Sequence, residues 1–126
     1  MSAAANPSPA SVDLLAIAIK PDRRPSPAAP PTEAPPGISR ATLIDNDEVR
    51  VVRVRFAPDA SEPVHAHPND LLTIQITSGR VEILNGGSRS IRDREPGFVQ
   101  FLPRNVPHAY ASGDTAPFEL LSVSIK

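Results

Sequence analysis

At 126 residues, with 13 basic against 14 acidic side chains and no cysteine, the chain has the size of one domain and no net field for collecting phosphates. That balance excludes nucleic acid as an expected partner, and the missing thiols exclude disulfides and thiolate metal sites, leaving His, Asp and Glu as the common metal ligands. The longest apolar run near the start, residues 14–19, is far short of the ~20 residues that cross a bilayer, so no membrane partner is expected. Lys20, Asp22, Arg23 and Arg24 follow that run and no basic stretch precedes it, which is not the layout of a secretory signal. The expected compartment is the cytoplasm, and a mature periplasmic or secreted form is also compatible with these residues.

Nine of the sixteen prolines fall before Gly37, and residues 25–36 are mostly Pro, Ala and Ser. Proline removes a backbone donor and fixes φ, so this stretch forms neither a helix interior nor a central strand and reads as an extended, semi-rigid arm. The organisation predicted is therefore a proline-rich N-terminal arm over 1–36 and one domain over 37–126. Ahead of the linker, residues 12–19 read as a short helix or an added strand, too short to be stable alone. An apolar segment on a stiff tether is suited to docking on its own domain or on a second copy, and a homodimer is the expected assembly.

From Ile38 onward the pattern is short strands broken by turn signals, an all-β reading. Residues 48–56 alternate, with Val52, Val54 and Phe56 on one face and Arg53 and Arg55 on the other; residues 57–60 then turn. Residues 71–77 place Leu72, Ile74 and Ile76 on one face, Gly79 interrupts, and 81–84 continue as a strand. Asn85-Gly86-Gly87 marks a hairpin, because glycine supplies positive φ at little cost. The charged stretch Arg89, Arg92, Asp93, Arg94 and Glu95 reads as a protected sheet edge. Residues 98–102, 108–111 and 118–125 complete about eight strands, the number of a sandwich or barrel.

The three histidines of the chain all lie in this domain. On a strand, residues two apart point to one face, so His65 and His67 can aim at a common point, and His108 from another strand would complete a facial set. Neutral imidazoles suit iron, zinc, manganese, nickel or copper, and three of them leave positions open for water or substrate. Surface histidines beside Pro63 and Pro68, and an ordinary buried His108, are the bland alternative.

Two blocks resemble the paired motifs of the cupin family. Its first motif, G-x5-H-x-H-x3–4-E-x6-G, is matched by Asp59, His65, His67, Leu72 and Gly79 at the same intervals, and its second, G-x5-P-x-G-x2-H-x3-N, by Gly97, Pro103, Asn105, His108 and Ser112. Asp59 and Asn105 replace turn glycines and tolerate left-handed backbone angles better than most residues. Leu72 stands where the family carries a metal-binding glutamate, which leucine cannot replace. The resemblance implies a cupin-type double-stranded β-helix, a jelly-roll barrel, with His65, His67 and His108 holding a divalent metal ion (iron, zinc, manganese or nickel) as in cupin oxygenases that use three imidazoles.

Further candidates surround this set. Asp70 is a candidate substitute carboxylate, Tyr110 shares the face of His108 two residues on, and Gln100 is a polar group within an apolar run. Three neutral ligands leave the metal its full charge, which favours a small anionic or chelating molecule as ligand. The functional expectation is a metal-dependent enzyme acting on such a molecule, dioxygenase-like with iron or isomerase/lyase-like with zinc. The alternative is a non-catalytic binding or sensing module, favoured by Leu72 and by the lack of an evident general base.

Overall fold

The computed structural model describes residues 14–20, 34–113 and 115–126. Most of the proline-rich arm, and Val12 and Asp13 of the preceding apolar segment, lie outside the described residues. Within 14–20 the chain takes neither the helical nor the strand form expected of it, and Leu14, Leu15 and Ile17 are exposed. No helix among the described residues is long and apolar enough to cross a membrane.

Eight strands follow in chain order: β1 (Ile38–Asp45), β2 (Val49–Phe56), β3 (Asp70–Gln75), β4 (Gly79–Asn85), β5 (Ser88–Arg94), β6 (Val99–Leu102), β7 (His108–Ser112) and β8 (Phe118–Ile125). They form two antiparallel sheets, one of five strands in the order β1-β2-β8-β3-β6 and one of three in the order β5-β4-β7. This is the all-β jelly roll expected. The consecutive strands β2 and β3 are not neighbours, and β8 returns between them, pairing Val54 with Leu120 and Ile74 with Leu121.

Turn chemistry closes the connections. Gly86 (φ +62°) and Gly87 join β4 to β5 with Asn85 opposite Ser88, the two-residue hairpin expected there. The two residues in place of motif glycines, Asp59 and Asn105, have φ of 61° and 63°, a conformation that Asp and Asn tolerate. Charged β5 is an edge strand, as expected of the residues that carry it.

The core lies between the sheets. Phe56 and Phe118, each 1% exposed, face each other as direct cross-strand partners with stacked rings 4.6 Å apart, and Val54, Leu120, Val81 and Ile83 surround them. Gly79 explains the glycine of the first motif at this level. A Cβ there would meet the Cβ of Phe118 at 2.8 Å, whereas one at Gly87 would meet nothing within 4 Å. Gly79→Ala is therefore expected to destabilise the fold by about 1–3 kcal/mol, against less than about 0.5 kcal/mol for Gly87→Ala. Guanidinium denaturation of both variants checks this, and equal midpoints would remove the steric account.

Candidate metal centre

His108 opens β7, and the segment that carries His65 lies along the free edge of that strand. His65 and His108 exchange both backbone hydrogen bonds, His65 N to His108 O at 3.0 Å and His108 N to His65 O at 2.8 Å. Directly opposed residues of an antiparallel pair project to the same face, so this bridge sets two imidazoles side by side. Glu62 N to Tyr110 O (3.0 Å) and Ser112 N to Ala60 O (2.8 Å) extend the pairing. Pro63 has no N–H to give, and the segment stays irregular rather than becoming a full strand. His65 and His67 thus do not share one continuous strand, as their spacing predicts. His67 is carried by the following loop, where its carbonyl accepts from Asn105 N at 2.7 Å.

The three rings nevertheless converge. Their centroids are 4.6, 4.8 and 5.2 Å apart, and one ring nitrogen from each lies within 4.8 Å of the others. His65 Nδ1 lies 2.7 Å from the carbonyl of Pro63, which can only accept, so Nδ1 carries the proton and Nε2 keeps a lone pair. Burial, followed by the neighbouring His65 and Arg40, lowers the pKa of His67 to about 4. Burial, followed by His65 and His67, lowers that of His108 to about 4 against a smaller opposing effect of the Val106 carbonyl. Buried His108 Nδ1 has no hydrogen-bond partner. Three converging imidazoles, of which His67 and His108 are kept neutral at pH 7 and His108 has an orphaned buried nitrogen, are a donor set that fits a divalent metal ion.

The set opens into a cavity of about 280 Å³ between the sheets. On the inner face of β3 it is Leu71 and Thr73 that line the cavity, while Leu72 is a direct cross-strand partner of outward Phe101. The inward position in this stretch is thus one residue earlier than the motif spacing to Gly79 predicts. Leu71 also fits the shorter of the two spacings the motif allows, and it is equally unable to ligate. Asp70 is off the cavity, taking up the amide of Arg104 (2.9 Å) and its guanidinium (3.3 Å). Burial pushes its carboxyl up, but those hydrogen bonds and the Arg104 charge outweigh it and hold it below the usual range. Tyr110 does line the cavity. Its hydroxyl donates to Gln100 Oε1 at 2.6 Å, so the bond with Thr73 Oγ1 (2.7 Å) has the threonine as donor. Gln100 lies behind the wall and also accepts from Arg94 Nη2 at 2.7 Å, so it positions Tyr110 rather than touching the cavity.

Sequence reasoning missed Glu62, a carboxylate that lines the same cavity with 11% of its side chain exposed. Its Oε1 accepts from Tyr110 N at 2.9 Å, and Oε2 is 3.9 Å from Arg40 Nη2. Burial raises its pKa against the opposing effects of His65, the Tyr110 amide and Arg40. The cationic residues on the cavity wall are Arg40 and Arg50, whereas Arg53 is turned outward in a two-pronged pair with Glu119 (3.2 and 3.0 Å). A signal for Arg50 existed, since it shares the parity of Val52, Val54 and Phe56. For Glu62 none did, because its place depends on the irregular pairing with β7.

The depressed histidine pKa values set a pH dependence. Between about 4 and the unfolded value near 6.5, the unfolded chain binds more protons than the folded one, so stability is full above pH 6.5 and falls as pH drops through that window. In chelator-treated protein, the melting temperature is expected to fall from pH 7 to pH 5, and His67→Gln with His108→Gln to flatten that slope. A slope unchanged by the two substitutions would show that other groups control it.

Comparison with known proteins adds the family to this geometry. The family model described as "Cupin domain" matches residues 52–124. No curated protein matches the chain. Among solved structures, a cupin domain from Bordetella pertussis Tohama I is 23% identical over 75% of this chain and 99% of its own, with a TM-score of 0.65. KdgF from Halomonas sp. is 21% identical over 75% of this chain and 84% of its own (TM-score 0.63). The DMSP lyase DddQ from Ruegeria pomeroyi DSS-3 is 25% identical over 71% of this chain and 47% of its own (TM-score 0.63). With eight strands in two sheets, a histidine cluster at their mouth and a family match over more than half its length, the chain belongs to the cupin family.

Proposed function

We propose that His65, His67 and His108 hold a divalent metal ion, and that the cavity behind them binds a small anionic or chelating molecule and acts on it as a metal-dependent enzyme. The observation that carries this reading is the convergence of three imidazole nitrogens within 4.8 Å, two of them on rings whose pKa is lowered to about 4. The metal would supply Lewis-acid polarisation of a bound oxygen, or redox chemistry if it is iron. The chain's own residues divide the remaining work. Pro63 O fixes the His65 tautomer, Thr73 and Gln100 hold the Tyr110 hydroxyl, and the apolar side chains Val54, Leu102 and Leu120 exclude water. Glu62, with its pKa raised by burial, is the group placed to take up or release a proton at Oε2.

A lyase is among the solved structures similar to this chain, which supports isomerase or lyase chemistry beside the dioxygenase type. One observation favours the second reading, a non-catalytic binding or sensing module: Leu71 occupies the wall where the family motif places a ligating carboxylate. Glu62 weighs on the other side, since it provides the proton-transfer group that a pure binder does not need.

We also infer a homodimer that buries the outer face of the larger sheet. The register sets Ile44 opposite Val51, Val51 opposite Val123, Val123 opposite Leu72 and Leu72 opposite Phe101, one apolar row across all five strands. Ile44 and Phe101 at its ends are 49% and 52% exposed, while Val123 at its centre is already buried. The outer face of a single antiparallel sheet is ordinarily polar, and a second copy of the same row is the self-complementary cover a two-fold contact requires.

Elemental analysis of protein purified without chelator is expected to give near-stoichiometric metal in wild type and a loss of at least tenfold in His65→Ala and His108→Ala. An empty site after metal supplementation would sink the metal reading. Iron would direct oxygen-uptake screening, with Glu62→Gln expected to lower turnover while keeping the metal. Turnover unaffected by Glu62→Gln would remove the proton-transfer role. Light scattering is expected to show a dimer that Phe101→Glu converts to a folded monomer; a monomeric wild type would refute the interface.

A further inference from the structure

The part of the cavity wall formed by Thr73 and Tyr110 has a fixed order of protons that the metal reading does not use. Arg94, 3% exposed at the end of β5, holds its guanidinium carbon 4.4 Å from the Phe98 ring centroid and 5.5 Å from that of Tyr110. A guanidinium has donors only, so the Gln100 atom that meets Arg94 Nη2 at 2.7 Å is the amide oxygen, Oε1. That oxygen only accepts, so Tyr110 directs its one hydroxyl proton to it, at 2.6 Å. The Tyr110 oxygen then accepts from Thr73 Oγ1 at 2.7 Å, which commits the threonine proton as well. The relay joins the two sheets. Thr73 and Gln100 are cross-strand partners on β3 and β6, while Arg94 and Tyr110 belong to β5 and β7. Thr73 and Tyr110 line the cavity, and Gln100 and Arg94 do not.

We propose that this wall selects small chelating acids that bear a hydroxyl group over their oxo counterparts, with Gln100 as the positioning residue that sets the choice from outside the cavity. The inference rests on the reading of His65, His67 and His108 as the metal-holding end, to which the acid's carboxylate would go. Neither Thr73 nor Tyr110 has a proton left to donate, so each meets a ligand with lone pairs alone. A ligand hydroxyl donates to them, whereas a ligand carbonyl sets oxygen against oxygen and is left unpaired in a buried place. The other polar groups of the cavity do not discriminate. Arg40 and Arg50 are already engaged with Glu62 (3.9 Å) and Asp45 (3.3 Å), and any attraction they retain acts on the carboxylate that both kinds of acid share. Thr42, Ser122 and Ser124 carry hydroxyls that donate or accept as a ligand requires. At about 280 Å³ the cavity is slightly below the range of drug-sized sites, which selects a small acid over an oligomeric one.

Calorimetric titration of the zinc-loaded full chain tests this with two hydroxy/oxo pairs of different length, lactate with pyruvate and 2-hydroxyglutarate with 2-oxoglutarate. In at least one pair the hydroxy acid is expected to bind at least tenfold more tightly, about 1.4 kcal/mol. Gln100→Leu lets the Tyr110 proton turn to Thr73 and so releases the threonine proton to the cavity. It is expected to reduce the preference at least fivefold with zinc content unchanged, although residue 100 does not line the cavity. Gln100→Glu keeps an acceptor for both Arg94 and Tyr110 and is expected to retain the preference. Should Gln100→Leu not fold, Tyr110→Phe carries the same expectation, because it too frees the Thr73 proton. No preference for the hydroxy acid in either pair, or one that the Gln100→Leu or Tyr110→Phe variant leaves intact, would overturn the inference. A preference lost in Gln100→Glu as fully as in Gln100→Leu would overturn the assignment of Gln100. Full zinc occupancy with no binding of any of the four acids would overturn the selectivity and leave the metal reading standing. Protein that takes up no zinc would overturn both, and elemental analysis tells the two failures apart.

Discussion

Two backbone hydrogen bonds between His65 and His108 hold the candidate site together. One residue belongs to a connecting segment and the other to a strand 43 positions later, yet their reciprocal bonding at 3.0 and 2.8 Å makes them direct cross-strand neighbours. Everything at the mouth of the barrel follows from it. The pairing draws Glu62 onto the Tyr110 amide, leaves Pro63 with a free carbonyl aimed at the His65 ring, and brings the loop of His67 within reach of Asn105. Without that bridge the same residues would line a loose connection, and no common point would exist for three imidazoles to face.

Burial then turns geometry into chemistry. An imidazole in water is about half protonated near its ordinary pKa, and a protonated ring cannot ligate. Withdrawing His67 and His108 from solvent, beside each other and beside His65, makes the charged form unfavourable and keeps lone pairs available at neutral pH. The same withdrawal acts in the opposite direction on Glu62, whose charged form is the one disfavoured. One environment thus yields ligands that resist protonation and a carboxyl that accepts a proton more readily than usual.

The β reading from Ile38 onward, the hairpin at Gly86-Gly87, the edge character of β5 and the positive φ of Asp59 and Asn105 were legible because each is local: alternation, turn chemistry and charge act within a few residues. The grouping of the three histidines was legible from spacing together with the family motifs. What was not legible depends on pairing between distant segments. Glu62 faces the cavity through an irregular contact with β7, and Arg40 comes near it only through that contact. The inward choice of Leu71 over Leu72 was lost for a different reason: both faces of β3 are apolar, so alternation alone does not say which looks in.

That ambiguity reaches into folding. A one-residue slip of β3 would exchange Leu71 with Leu72, and the apolar pattern would barely register the change, whereas in most strands such a slip buries polar groups at once. Fidelity must come from residues at the ends of the strand. Asp70 locks one end to the amide and guanidinium of Arg104, and at the other Gln75 exchanges backbone hydrogen bonds with Phe98 and Gly97. Thr73 adds a check in the middle, since only the native alignment delivers its hydroxyl to Tyr110. The polar ends of β3 therefore act as its alignment marks, and substitutions there would be felt as misfolded or heterogeneous chain before they were felt as lost contacts.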